Sequence, residues 1–157
     1  MTQQMPKPRK HPSEFEVGEE FDPIEYVVTP EMVNYLLIGV DDRHPWYFED
    51  SPFGGPIAPP LMCQMAFIRL RTRHMWGDFL GAVFTQPAGL HYVFNAEYFE
   101  PVKVGEKITV RGKCLANYIN RGRRYVDYEA LIYGEDGRLC SRYVSTSLTQ
   151  YRKEEEQ

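Results

Sequence analysis

Cysteine is scarce and unpatterned in this chain: Cys63, Cys114 and Cys140 lie far apart, and none belongs to a CxxC pair. That excludes a disulfide framework or thiolate zinc site as the expectation and reads as buried free thiols in a reducing compartment. Histidine is thin too. His11, His44, His74 and His91 give no HxxxH pair, so no metal and no cofactor is expected. No apolar run approaches the about 18 residues that a membrane helix needs. The opening MTQQMPKPRKHP is basic but carries no apolar stretch of the kind a secretion signal requires. A cytoplasmic protein without membrane contact is expected. The net charge of −4 supplies no global basic footprint for nucleic acid. The local group Arg121, Arg123 and Arg124 reads first as a solvated hairpin turn and second as a contact for the phosphates of a nucleotide-bearing ligand.

What is abundant is aromatic. Eleven Tyr and nine Phe in 157 residues favour strands and apolar binding surfaces. The length suits one domain with one core. Residues 1–13 are polar and hold three Pro, which predicts a flexible N-terminal tail. Residues 152–157 are expected to be a second tail. Between them, 14–151 shows no linker, repeat or domain break.

Thr29-Pro30-Glu31 reads as a helix start, with Thr as cap, Pro in the first turn and an acid at the positive end. Gly39 is the expected stop. A second helix is predicted from near Pro59-Pro60, with Leu61, Met65, Ile68 and Leu70 on its buried side. Met62, Cys63, Ala66 and Phe67 widen that face, and Arg69, Arg71, Arg73 and His74 crowd its end. From residue 90 the period becomes two, giving strands over 90–99, 107–119, 123–134 and 138–151. Turns are predicted at Asn120-Arg121-Gly122 and Glu135-Asp136-Gly137. The expectation is an α+β domain, a meander of antiparallel strands behind one central helix.

Between the helices lies DDRHPWYFEDSPFGGPIAPPL, residues 41–61. It is too rich in Pro for one regular element and too aromatic for an ordinary solvated loop. This loop, with FEVGEEF (15–21), Tyr26, TPEMVNYL (29–36) and EYFEPVKVGEKITVRG (97–112), resembles the MaoC-like hydratase/dehydratase family. The resemblance covers most of residues 15–149. It implies a single hotdog fold, a long helix wrapped by an antiparallel sheet, and a site completed by pairing two hotdogs. It also implies addition or removal of water on acyl-CoA or acyl-carrier thioesters.

The family's loop reads Asp-x-Asn-Pro-x-His and, after a Gly-rich stretch, Ala-His-Gly. Hydration of an enoyl thioester needs a base for water and an acid for the alpha carbon. It also needs a donor for the thioester oxygen at the central helix start. On the resemblance Asp42 keeps the Asp position and Pro45 the Pro. His44 replaces Asn, Tyr47 replaces the catalytic His, and Ala58-Pro59-Pro60 replaces Ala-His-Gly. Pro60 has no N–H to offer an oxyanion. The variant resembles the degenerate N-terminal half of double-hotdog dehydratases and the non-catalytic subunits of heterodimeric ones.

The candidate catalytic residues are therefore Asp42, His44 and Tyr47, and the candidate substrate-binding residues Trp46, Gly55, Ile57, Ala58 and Pro60. Each has a plainer role beside the catalytic one. Asp42 is a base or a turn cap; His44 is a substitute acid or a packed loop residue; Tyr47 donates to a thioester or fills the core. Trp46 lines an acyl pocket or packs the loop down, and Gly54-Gly55 serves a ligand or a turn.

Three functions compete: a subunit that needs a catalytic hotdog partner, a self-sufficient hydro-lyase using Asp42, and a non-catalytic acyl-CoA or lipid-binding module. A homodimer or a heterodimer with another hotdog is expected, with no nucleic acid and no membrane partner. A thioesterase is disfavoured, since no Asp or Glu lies between residues 57 and 77.

Overall fold

Thr29 starts the first helix as its chemistry predicts: its hydroxyl accepts the Met32 N–H at 3.3 Å, ahead of Pro30 in the first turn. In the computed structural model, which describes residues 10–76 and 90–149, this helix α1 spans Pro30–Val40 and buries Val33 and Leu37. It does not stop at Gly39. Asp41 terminates it in the left-handed region at φ 50°, a conformation Asp tolerates better than most residues.

The second helix, α2, spans Met62–Trp76. Its buried face is Met62, Cys63, Ala66, Phe67 and Leu70, while Leu61, Met65 and Ile68 are half-buried. The residues expected to widen the face are thus its centre. Five strands wrap this helix: β1 (Glu20–Val27), β2 (Leu90–Tyr98), β3 (Lys107–Asn120), β4 (Arg123–Tyr133) and β5 (Leu139–Thr149). All pairs are antiparallel, in the order β1-β3-β4-β5-β2. This is the α+β hotdog arrangement.

The strand order departs from a simple meander. β2 does not pair with its sequence neighbour β3; it runs beside β5 at the far edge, so residues 99–106 must cross the ends of β5 and β4 to reach β3. Strand periodicity cannot reveal this, because it reports faces and not neighbours. The turns are local and follow their residues. Arg121 and Gly122 both take positive φ, 49° and 73°, in a two-residue hairpin loop.

Of the two parities in β4, Val126, Tyr128, Ala130 and Ile132 face the helix and are buried. Gly112 in β3 lets α2 lie close: a Cβ there would stand 2.5 Å from the Glu129 carbonyl and 2.7 Å from Leu70. On the outer face, Lys113, Glu129, Arg142 and Glu97 form a chain of ion pairs that runs from β3 to the edge strand.

Part of the expected N-terminal tail is built into the fold. Residues 12–14 form a short 3-10 turn with Pro12 buried, and Lys10 Nζ lies 2.6 Å from Glu19. Residues 1–9 and the C-terminal tail 152–157 lie outside the described residues.

Candidate functional site

The crossing connection and the 41–61 loop together roof a cavity of about 400 Å³ at the N-terminal end of α2. The loop is built from short-range hydrogen bonds. The Asp42 carboxylate accepts the His44 N–H at 3.1 Å, and His44 Nδ1 accepts the Trp46 N–H at 3.3 Å. These bonds fold Pro45–Tyr47 into a 3-10 turn. Farther on, the Ser51 hydroxyl donates to the Gly55 carbonyl at 2.5 Å, closing a turn in which Gly54 and Gly55 take φ 80° and 101°. Only Gly adopts such angles without cost.

The end of the loop is zipped to the connection. The Ile57 N–H donates to the Trp46 carbonyl (2.9 Å), the Ala58 N–H to the Val102 carbonyl (2.8 Å) and the Val104 N–H to the Pro56 carbonyl (2.9 Å). The connection itself is pinned by a charge pair. Arg138, after the β4–β5 turn, donates to both carboxylate oxygens of Glu106 at 2.6 and 2.8 Å and to the Pro101 carbonyl at 2.9 Å. Glu106 also accepts the Lys103 and Glu135 N–H groups. Burial works against its charge, but these donors outweigh burial and hold its pKa below the usual carboxylate value.

Of the residues named from sequence, His44, Trp46, Tyr47, Ile57, Ala58 and Pro60 line the cavity. Asp42 and Gly55 do not. Gly55 sits in the turn behind the roof, and Asp42 caps the loop from outside. The Tyr47 hydroxyl has a raised pKa, first through burial and then through the Asp42 carboxylate. His91 faces α2 but packs against Phe67 and Ser145, away from the cavity.

The lining also holds residues with no sequence signal for a site. Tyr98 ends β2 and places its hydroxyl 3.3 Å from Cys63 Sγ in the first turn of α2. Burial raises the pKa of both groups, so neither is a ready nucleophile or base at neutral pH. Cys140 and Ser141 come from β5 and Pro101 and Val102 from the connection. All depend on the crossing of 99–106, which local patterning does not show.

The walls are dominated by Met62, Ala66, Ile108, Ile132 and the prolines, with few polar groups among them, a composition suited to an apolar ligand with one polar end. Its proton-active groups are His44, Tyr47, Cys63, Tyr98, Glu100 and Cys140. Pro59 and Pro60 have no N–H, and that of Ala58 is already donated to Val102. Among the described residues no group of three or more His, Cys, Asp or Glu could hold a metal, and no helix is long and apolar enough to cross a membrane.

A family model described as the FAS1-like dehydratase domain region matches residues 16–140. No curated protein matches the chain. Solved structures do. The (R)-hydratase from A. caviae involved in PHA biosynthesis shares 15% identity at TM-score 0.68, over 87% of this chain and 98% of that one. The C-terminally truncated HadBC (3R-hydroxyacyl-ACP dehydratase) complex from Mycobacterium tuberculosis shares 16% at 0.67, over 83% and 94%. A MaoC-like dehydratase shares 18% at 0.72, over 89% of this chain but only 44% of its own.

Proposed function

Because the chain belongs to the family of FAS1-like dehydratase domain regions and carries a MaoC-like hotdog, we propose that it is the acyl-thioester-holding subunit of a hydratase or dehydratase and that a second hotdog supplies the chemistry. One observation carries this reading. At the mouth of an apolar cavity the backbone offers no donor at residues 58–60: two are prolines, and the Ala58 N–H is bonded to Val102. Tyr47 stands where the resemblance expects the catalytic His. A site whose backbone offers no donor at the helix start can still grip an acyl chain.

Two relatives favour a paired arrangement. HadBC is described as a complex, and the chain spans less than half of the MaoC-like dehydratase, which leaves room there for another hotdog. The edge strand β2, paired on one side only among the described residues, is the docking surface of this reading. Strand β2 exposes Leu90 and Tyr92 at 65% each and Phe94 at 55%, and an unpaired apolar edge strand is a template for another sheet.

The test is hydration of a short enoyl-CoA, followed by loss of the conjugated-thioester absorbance. The chain alone is expected to bind the thioester without turning it over. A second reading, a self-sufficient hydro-lyase, is favoured by the Asp42 carboxylate acting on the Tyr47 hydroxyl. Turnover by the chain alone that is abolished in Asp42→Asn would establish that reading and refute the first.

A further inference from the structure

The hairpin between β3 and β4 and the strands beside it carry a patch that the cavity does not use. Tyr118 on β3 lies opposite Tyr125 on β4, and their rings stack at 5.5 Å between centroids, 17° from parallel. Tyr92, at the register shift of β2, meets the same Tyr125 ring at 5.4 Å. Tyr125 alternates with Val126 and Tyr128, which are buried toward α2, so the three rings lie on the outer face of the sheet. Tyr118 is 40% exposed and Tyr92 65%. Arg123, two residues before Tyr125, belongs to the same face, and Arg121 is exposed in the turn beside it. Among the described residues neither arginine enters an ion pair. The mouth of the cavity has the opposite sign. Asp41, Asp42, Glu49, Asp50 and Glu100 lie on the segments that roof it, against Lys103 and an Arg43 that is paired with Asp41.

We propose that these tyrosines and the two arginines form a shelf for a nucleotide, whose base stacks on the rings and whose phosphates meet the guanidinium groups. A base offers its face to an aromatic side chain, and an arginine offers phosphate a matching fork of donors. The net charge of −4 opposes a long nucleic acid and favours a single nucleotide. The nucleotide is that of CoA, an assignment that rests on the acyl-thioester reading and on pairing through β2. Shelf and cavity stand at opposite ends of β2, where Leu90 and Tyr98 are eight residues and roughly 27 Å apart. They also use opposite faces of the sheet, so they do not serve one ligand within one chain. Two β2 edges paired antiparallel bring the shelf end of each subunit beside the mouth end of the other. The shelf then grips the nucleotide of a thioester whose acyl group sits in the partner.

The experiment is calorimetric titration of the full chain with adenosine 3′,5′-bisphosphate, which carries the base and two of the phosphates of CoA, and separately with octanoyl-pantetheine, which has no nucleotide. The wild type is expected to bind the nucleotide, and less tightly as salt rises. Arg121→Glu combined with Arg123→Glu should weaken that binding by roughly tenfold or more, and Tyr92→Ala by roughly fivefold or more. Tyr92→Phe keeps the ring and should bind as the wild type does. None of these variants should change the affinity for octanoyl-pantetheine. No nucleotide binding by the wild type, or unchanged affinity in folded arginine and Tyr92→Ala variants, would overturn the inference while leaving the acyl reading intact. A nucleotide that binds beside an octanoyl-pantetheine that does not would keep the shelf and refute the acyl reading with the CoA assignment. Oligoadenylate RNA binding far more tightly than the single nucleotide would overturn the inference in favour of a nucleic-acid surface.

Discussion

The Arg138 guanidinium grips the Glu106 carboxylate through two hydrogen bonds, and in doing so ties the end of the 99–106 connection to the start of β5, 32 residues on in sequence. The pair anchors residues 99–106 where they cross the sheet. Those residues in turn present Pro101 and Val102 to the cavity and the Val102 carbonyl to Ala58. The site is therefore held from behind by an ion pair that does not itself line the cavity.

Removing one partner leaves the other buried and unmatched. Arg138→Ala should cost about 3 kcal/mol of stability, because Glu106 is nearly enclosed and loses its counter-charge. Lys107→Ala is the control. Its side chain and that of its partner Glu25 are each about half exposed, so the loss should be much smaller than for Arg138→Ala. Urea unfolding of the two variants decides; equal losses would show that the connection is not pinned by Glu106.

The same pair sets the acid limit of the fold. The Glu106 pKa is lower in the folded chain than in the unfolded one, where Glu titrates near about 4.3. Its contribution is therefore complete above the unfolded value and is lost as pH falls through the folded value. Glu19, held by Lys10, the Glu16 N–H and His74 against its own burial, behaves alike. The urea midpoint should be insensitive to this pair from neutrality to about pH 5 and decline below it. Glu106→Gln should start lower and decline less steeply; a parallel decline would assign the acid sensitivity elsewhere.

A loop that lacks two elements of a catalytic pattern, the His at position 47 and the N–H at position 60, should respond to their restoration. Tyr47→His returns a general acid or base, and Pro60→Gly returns an N–H at the start of α2. The double variant is expected to hydrate enoyl-CoA at least roughly tenfold faster than the wild-type chain. The gain should vanish on adding Asp42→Asn. No gain in a folded double variant would mean that the partner, and not this loop, sets the reacting geometry.

Assembly should depend on the edge of β2 that is unpaired among the described residues. Val93 is 45% exposed there, with Leu90 and Tyr92 beside it. Val93→Lys adds a charge that a buried strand edge would reject while leaving the inward face of the sheet untouched. Light scattering after gel filtration should show dimers or larger species for the wild type and monomers for the variant, with unchanged circular dichroism. Monomers in both would place the docking surface elsewhere or require a different chain as partner.

Much of this protein was written locally. Thr29 and Pro30 begin a helix because one can cap and the other suits the first turn, and Arg121-Gly122 turns a hairpin because the chain there tolerates positive φ. Alternation marked the four strands from residue 90 onward but not β1 (Glu20–Val27), and the loop 41–61 stood out by composition alone. Such features involve neighbours within a few residues, so the sequence carries them directly.

What it could not carry was adjacency at long range. Only the folded chain puts β2 beside β5, sends 99–106 across the sheet ends, brings Tyr98 to Cys63 and closes Glu106 on Arg138. The same crossing gives the Ala58 N–H to Val102, and it leaves Asp42 capping a turn outside the cavity that Tyr47 lines. The period of a strand says which side chains share a face. Which strand lies next to it is decided by burying those faces around one helix, and that is a property of the whole chain.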